Sequence, residues 1–197
     1  MEIDRRLVLN GMMAAGVVGL PVSKSLASPG RMAADEGTQP KRFSIALVNN
    51  AVEQSAFLEG VAGRPGINVE IVRADFGMDF LQNLKQVLRS SPTPIIGLVD
   101  DGTGAFIIQM ARATGSRLPW LAQHTARGEH PRHHILSAGT SDLASGSPFA
   151  DAQSWPAALG LTLASLGAGH APSTLQRSPS ITKPPLTGSF VSFLIVS

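Results

Sequence analysis

The chain of 197 residues is expected to fold as a single α/β domain in three layers, with a mostly parallel sheet between helices on both faces. Three observations predict this. Short apolar runs at 43–48, 67–72 and 94–99 are each followed by residues with helical apolar spacing. The connections between them are short and built from Gly, Pro, Ser, Asn and Asp, which are turn formers. Setting aside a leader and a polar spacer leaves roughly 155 residues, close to the commonest size of one domain with one core.

Phe43 to Val48 is a continuous apolar run ending in Asn49-Asn50, and Ala51 to Val61 then places Val52, Phe57 and Val61 at helical spacing. Arg64-Pro65-Gly66 is a turn. Ile67, Val69 and Ile71 alternate on one face of a second strand that Asp75 ends. Met78, Leu81, Leu84, Val87 and Leu88 make the apolar stripe of a second helix, which Ser90-Ser91-Pro92 stops. Pro94 to Val99 is a third buried strand, Asp100 to Gly104 a turn, and Ala105 to Ala113 a third helix closed by Gly115. Strands and helices in this alternation wind a parallel sheet with right-handed crossovers.

The rhythm then changes. Pro119 to Thr125 and His134 to Ala138 are two short strands about a turn of eight residues apart, which predicts a β-hairpin. Ser154 is placed to cap a last helix through Leu166, with Trp155 and Leu159 inward and Pro156 tolerated in the first turn. Phe190 to Val196 is a largely apolar strand, expected to end the chain inside the sheet.

The N-terminus reads as an address. Asp4-Arg5-Arg6-Leu7-Val8-Leu9-Asn10 precedes an apolar run from Gly11 to Val22 that is too short to span a bilayer, and Ser25 and Ala27 form an A-x-A-like cleavage site. The pattern resembles the twin-arginine export consensus at Arg5, Arg6, Val8 and Leu9, and departs from it where phenylalanine is usual. The domain plan is therefore a twin-arginine signal peptide at 1–27, a polar disordered spacer at 28–41 and one α/β domain at 42–197. The twin-arginine translocase is the expected partner during export, and the periplasm the destination. No later segment approaches the ~20 apolar residues of a membrane span.

Composition excludes several function classes. The chain has no cysteine, which removes disulfides, thiolate metal sites and thiol catalysis together. A net charge of +2 accompanies a pI of 9.5 only because, with no Cys or Tyr, little titrates between histidine and lysine. No basic cluster interleaved with aromatics is present, so nucleic acid is not an expected partner.

Across residues 43–125 the order of elements resembles one lobe of the type I periplasmic-binding-protein fold, or a flavodoxin-like sheet. The residues that carry the resemblance are Ile45-Ala46-Leu47-Val48, Asp75, and Ile95-Ile96-Gly97-Leu98-Val99-Asp100-Asp101-Gly102. The chain is too short for the second lobe with which such binding proteins close on a ligand. The leader, the core, the Arg127-Gly128-Glu129-His130 segment and the apolar C-terminal strand together resemble a group of small exported proteobacterial proteins of unknown function. The resemblance implies localisation and fold, and no chemistry.

Open α/β sheets hold ligands at the carboxyl ends of their parallel strands. The candidate ligand residues there are Asn49, Asn50, Asp75, Asp100, Asp101, Gly102 and Thr103. Glycine lets a ligand approach, and the helix that follows offers free N–H groups; the same residues also suit a plain helix cap by Asp101 or Thr103. A second cluster, His124, Glu129, His130 and His133, is a candidate Zn or Cu site built across the hairpin. Adjacent His133 and His134 point to opposite faces of a strand, so they do not share an ion easily. A polar, solvated hairpin tip is the favoured explanation of the cluster. Ser137, Thr140, Ser141 and Asp142 lie near the histidines, but there is no G-x-S-x-G elbow. The expected function is thus a non-catalytic periplasmic module binding a small ligand or a partner protein at the strand ends. The alternative is a metal-binding or enzymatic protein using the His124, His130 and His133 hairpin and the strand-end aspartates.

Overall fold

The structure is a computed structural model in which residues 42–127, 131–138, 149, 151–171 and 183–197 are described. The segments expected to be a signal peptide, 1–27, and a spacer, 28–41, lie outside the described residues, as do Glu129, His130 and 140–142.

The strands are β1 (Arg42–Val48), β2 (Ile67–Arg73), β3 (Ile95–Asp100), β4 (Arg117–Ala126), β5 (Arg132–Ala138) and β6 (Gly188–Val196). The helices are α1 (Asn50–Glu53), α2 (Phe57–Ala62), α3 (Met78–Ser90), α4 (Asp101–Ala113) and α5 (Trp155–Gly167). The strands form one open sheet in the order β2-β1-β3-β6-β4-β5. The class is α/β. The expectation of a mostly parallel sheet is corrected: β1 pairs in parallel with β2 and β3, whereas β3–β6, β6–β4 and β4–β5 are antiparallel.

The reason lies in β6. Strand β4 points the same way as β1, β2 and β3, as the alternation implies, but the last strand is inserted between β3 and β4 in the opposite direction. A nearly continuous apolar run signals burial on both faces, and it carries no information on direction. Phe190 lies opposite Asp100 and Ile195 opposite Ile95, so β6 enters at the carboxyl end of β3. The hairpin pairs β4 with β5, with a register shift between Leu121 and Ala122.

Period-two alternation sends side chains to two cores. Ala46, Val48, Ile96, Leu98, Trp120, Ala122, Phe190 and Leu194 meet Phe57, Val61 and the residues of α5 on one face. Leu47, Ile95, Val99, Val191, Phe193 and Ile195 meet Phe80, Leu84 and Leu88 of α3, and Ile107 and Ala111 of α4, on the other. Helix α5 is buried from Trp155 through Ser165, as an all-round apolar sequence requires. Its Thr162 and Ser165 hydroxyls donate to the carbonyls of Ala158 and Leu161, each at 2.8 Å, so neither is left unpaired.

Three local expectations change. The helix expected over 51–61 is broken at Gln54-Ser55-Ala56, where the Ser55 hydroxyl accepts from Phe57 N. Helix α4 starts at Asp101, four residues before the expected 105, because Asp100 caps it. At α5 the N-cap position is Ser154, but the capping bond runs from Ser154 N to Asp151 Oδ2 at 2.7 Å, and the serine side chain makes none. Among the described residues no helix is long and apolar enough to cross a membrane.

Candidate functional site

Strands β2 and β3 leave β1 in opposite lateral directions, so the switch point of the parallel part falls between the carboxyl ends of β1 and β3. Asn49 and Asp100 stand there. The Asn49 Nδ2 group donates to Asp100 Oδ2, and the same carboxylate accepts from Thr103 N and Thr103 Oγ1, each at 2.9 Å. Asn49 is 7 % exposed and its Oδ1 is buried without a hydrogen-bond partner.

Of the strand-end residues named from sequence, Asn49, Asp100 and Thr103 therefore converge, and they do so on one another. Asp75 uses its Oδ1 to accept from Gly77 N at 2.9 Å, an Asx turn that leads into α3. Asn50 is exposed at the start of α1. Asp101 and Gly102 face sideways, into a groove along α4. Beside the exposed Asn50, Asp75 and Asp101, the strand ends also display two large apolar side chains to solvent: Phe76 is 60 % exposed and Met78 67 %. Phe76 meets Phe106 of α4 edge to face, with ring centroids 5.6 Å apart.

The histidine cluster is built by strand register. On β4 the side chains of Trp120, Ala122 and His124 share a face, and Ser192 of β6 lies directly opposite Ala122. A small residue there leaves the serine hydroxyl within diagonal reach of both neighbours. Trp120 Nε1 donates to Ser192 Oγ at 2.8 Å, and Ser192 Oγ lies 2.7 Å from His124 Nε2. His133 of β5 is the cross-strand partner of His124, and their Nδ1 atoms are 2.7 Å apart. His133 Nε2 lies 2.8 Å from the carbonyl oxygen of Phe149. Trp155 of α5 stacks on His124, with centroids 5.0 Å apart and planes at 27°.

These contacts fix the protons. A carbonyl only accepts, so His133 Nε2 carries hydrogen and, in the neutral ring, Nδ1 accepts. His124 then donates from Nδ1 and accepts at Nε2 from the Ser192 hydroxyl, which itself accepts from Trp120. The result is a one-way chain from Trp120 through Ser192, His124 and His133 to Phe149, with both imidazoles neutral. Burial, and then the neighbouring His133, lower the pKa of His124 to about 3. Burial also lowers that of His133, opposed by its bond to the Phe149 carbonyl.

Two chemistries can be weighed against this geometry. Nitrogens bound to one tetrahedral metal at 2.0–2.1 Å stand about 3.3 Å apart, so the 2.7 Å contact is a hydrogen bond rather than a vacant metal bite. Among the described residues no group of three or more His, Cys, Asp or Glu is placed to hold a metal. Ser192, His124 and His133 also stand in the sequence nucleophile, base and orienting group. Yet Ser192 is 0 % and His124 2 % exposed, beneath α5, so no substrate reaches the hydroxyl as the protein stands.

Ser137, near the histidines in sequence, is exposed and donates to Leu118 O at 3.3 Å. His134 is exposed on the opposite face from His133, as alternation requires. Sequence reasoning missed Ser192 and the two tryptophans as parts of this cluster. The available signal was a lone hydroxyl within the buried run Phe190 to Val196, which requires a partner. Compared with family models, curated proteins and solved structures, the chain matches none.

Proposed function

We propose that this chain is an exported, non-catalytic accessory module that engages a periplasmic partner protein through the carboxyl ends of β1, β2 and β3. The exposed Phe76 and Met78 carry this reading, since a pair of large apolar side chains at the functional edge of an α/β sheet favours contact with another surface. The polar groups beside them, Asp75, Asp100 and Thr103, are engaged within the chain, which favours an apolar protein contact over a small polar ligand. Export rests on the Arg5-Arg6 leader and the cleavage site ending at Ala27. The sealed state of the Ser192–His124 pair supports a role without catalysis.

The test places a photo-crosslinking residue at position 76 and, as a control, at exposed Glu70 of β2, in cells that export the chain. A discrete adduct from position 76 alone supports the reading. Equal labelling from both positions, or none from either, overturns it. Replacing Arg5 and Arg6 together by lysine is expected to leave the precursor in the cytoplasm; unchanged export would remove the twin-arginine route.

A further inference from the structure

We infer that the outer face of α4, with the neighbouring surface of β4 and β5, is the interface with a second copy of this chain. Asp101, Ala105, Ile108 and Arg112 recur at helical spacing on one face of α4 and line a groove of about 790 Å³. Leu121 and Leu136 form its apolar floor, where the sheet extends past α4, and Leu136 is 49 % exposed. The charges are what select the occupant. Asp101 lies in the first turn of α4 and Arg112 in the last, about 16 Å apart along the axis. Both are exposed, and among the described residues neither takes part in an ion pair.

A twofold axis running between Ala105 and Ile108 sets two copies of α4 antiparallel. Each Asp101 then faces the Arg112 of the other copy, so one surface supplies two ion pairs. Ala105 of each copy meets Ile108 of the other, small against large. The second α4 occupies the groove and covers Leu136, and the helix dipoles oppose one another. A parallel arrangement sets like charges together and is disfavoured. This face is separate from the Phe76 and Met78 patch, so it stands or falls independently of that proposal.

Sedimentation of the purified mature chain at tens of micromolar is the test, with Asp101→Arg and Arg112→Asp as single variants. The wild type is expected to be a dimer, and each variant to self-associate about tenfold or more weakly, because like charges then meet at both ends. An equimolar mixture of the two variants recovers the dimer, since every facing pair is again opposite in sign. Leu136→Asp, which leaves α4 untouched, is expected to give a monomer as well. A monomeric wild type, a dimer indifferent to both charge changes, or a mixture that stays monomeric overturns the inference.

Discussion

His124 and His133 face each other across β4 and β5 with their Nδ1 atoms 2.7 Å apart, and the Phe149 carbonyl beyond them holds a proton on His133 Nε2, so that with both rings kept neutral by burial the hydrogen bonds run one way from Ser192 to Phe149. Adding a proton to either ring breaks the chain, because two N–H groups would then point at one another or the Ser192 hydroxyl would lose its acceptor. The consequence is a pH dependence with a defined sign. The folded pKa of His124 is about 3, below its unfolded value of 6.5, so below 6.5 the unfolded chain binds the extra proton. Stability therefore rises with pH through this window, and this share is lost progressively as pH falls from 6.5 toward 3. At pH 5 the share of His124 amounts to about 2 kcal/mol. Urea unfolding at pH 7.5 and pH 5 checks it: His124→Phe is expected to flatten the difference by about that amount, and an unchanged difference would contradict the neutral assignment.

Ser192 joins one donor, Trp120 Nε1–H, and one acceptor, His124 Nε2, neither of which has another described partner. Ser192→Ala leaves Trp120 Nε1–H and His124 Nε2 buried and unpaired, at a cost of about 1–3 kcal/mol per group. Combining it with His124→Phe removes one of those orphans, so the double change is expected to cost less than the sum, by about 1 kcal/mol or more. Denaturation midpoints of the four proteins in the cycle measure this. Additive costs would mean that the bond seen between Ser192 and His124 contributes nothing.

Much of this was legible before folding was considered. Turn formers and apolar runs locate β1, β2 and β3, the hairpin and β6, because burial and local backbone preference are written residue by residue. Which strand sits beside which is not local. Phe190 to Val196 reads the same whether it is parallel or antiparallel, and only long-range packing sets it between β3 and β4. The same limit governs the site. His124 and His133 were visible as candidates because they flank one hairpin, whereas Ser192, 68 residues from His124, came into view only with the register of β6 against β4.

Asp100 and Asp101 are adjacent and chemically identical, but their environments separate them. Asp100 caps α4 through Thr103 N and also holds Asn49, so Asp100→Ala removes a cap, worth about 1 kcal/mol, and strands the Asn49 amide and the Thr103 hydroxyl as well. A total loss of about 2–4 kcal/mol is expected. Asp101→Ala touches an exposed side chain and is expected to stay within about 0.5 kcal/mol for the monomer. Thermal unfolding of both variants at low protein concentration separates folding from association. Equal losses would show that the cap is not where the geometry places it.

Helices α2 and α5 cross with backbone in contact, at Gly60 and Gly160. A methyl group on Gly160 would run into the carbonyl of Phe57, and one on Gly60 into the carbonyl of Ala157, so each glycine makes room for the opposite helix. In neither case is the obstacle a side chain that can swing aside. Gly160→Ala therefore forces the helices apart or strains α5, and the expected loss is about 2–3 kcal/mol despite the better helix propensity of alanine. Gly66 is the control: its φ of +81° disfavours any other residue, but nothing stands within 4 Å of an added methyl. Gly66→Ala is expected to cost only the left-handed backbone penalty, about 1–2 kcal/mol. Because Trp155 covers His124 from the N-terminal turn of α5, Gly160→Ala is also expected to shift the tryptophan emission of the folded protein to the red, whereas Gly66→Ala leaves it unchanged. A stable Gly160→Ala protein with unaltered emission would mean that the crossing is looser than its glycines indicate.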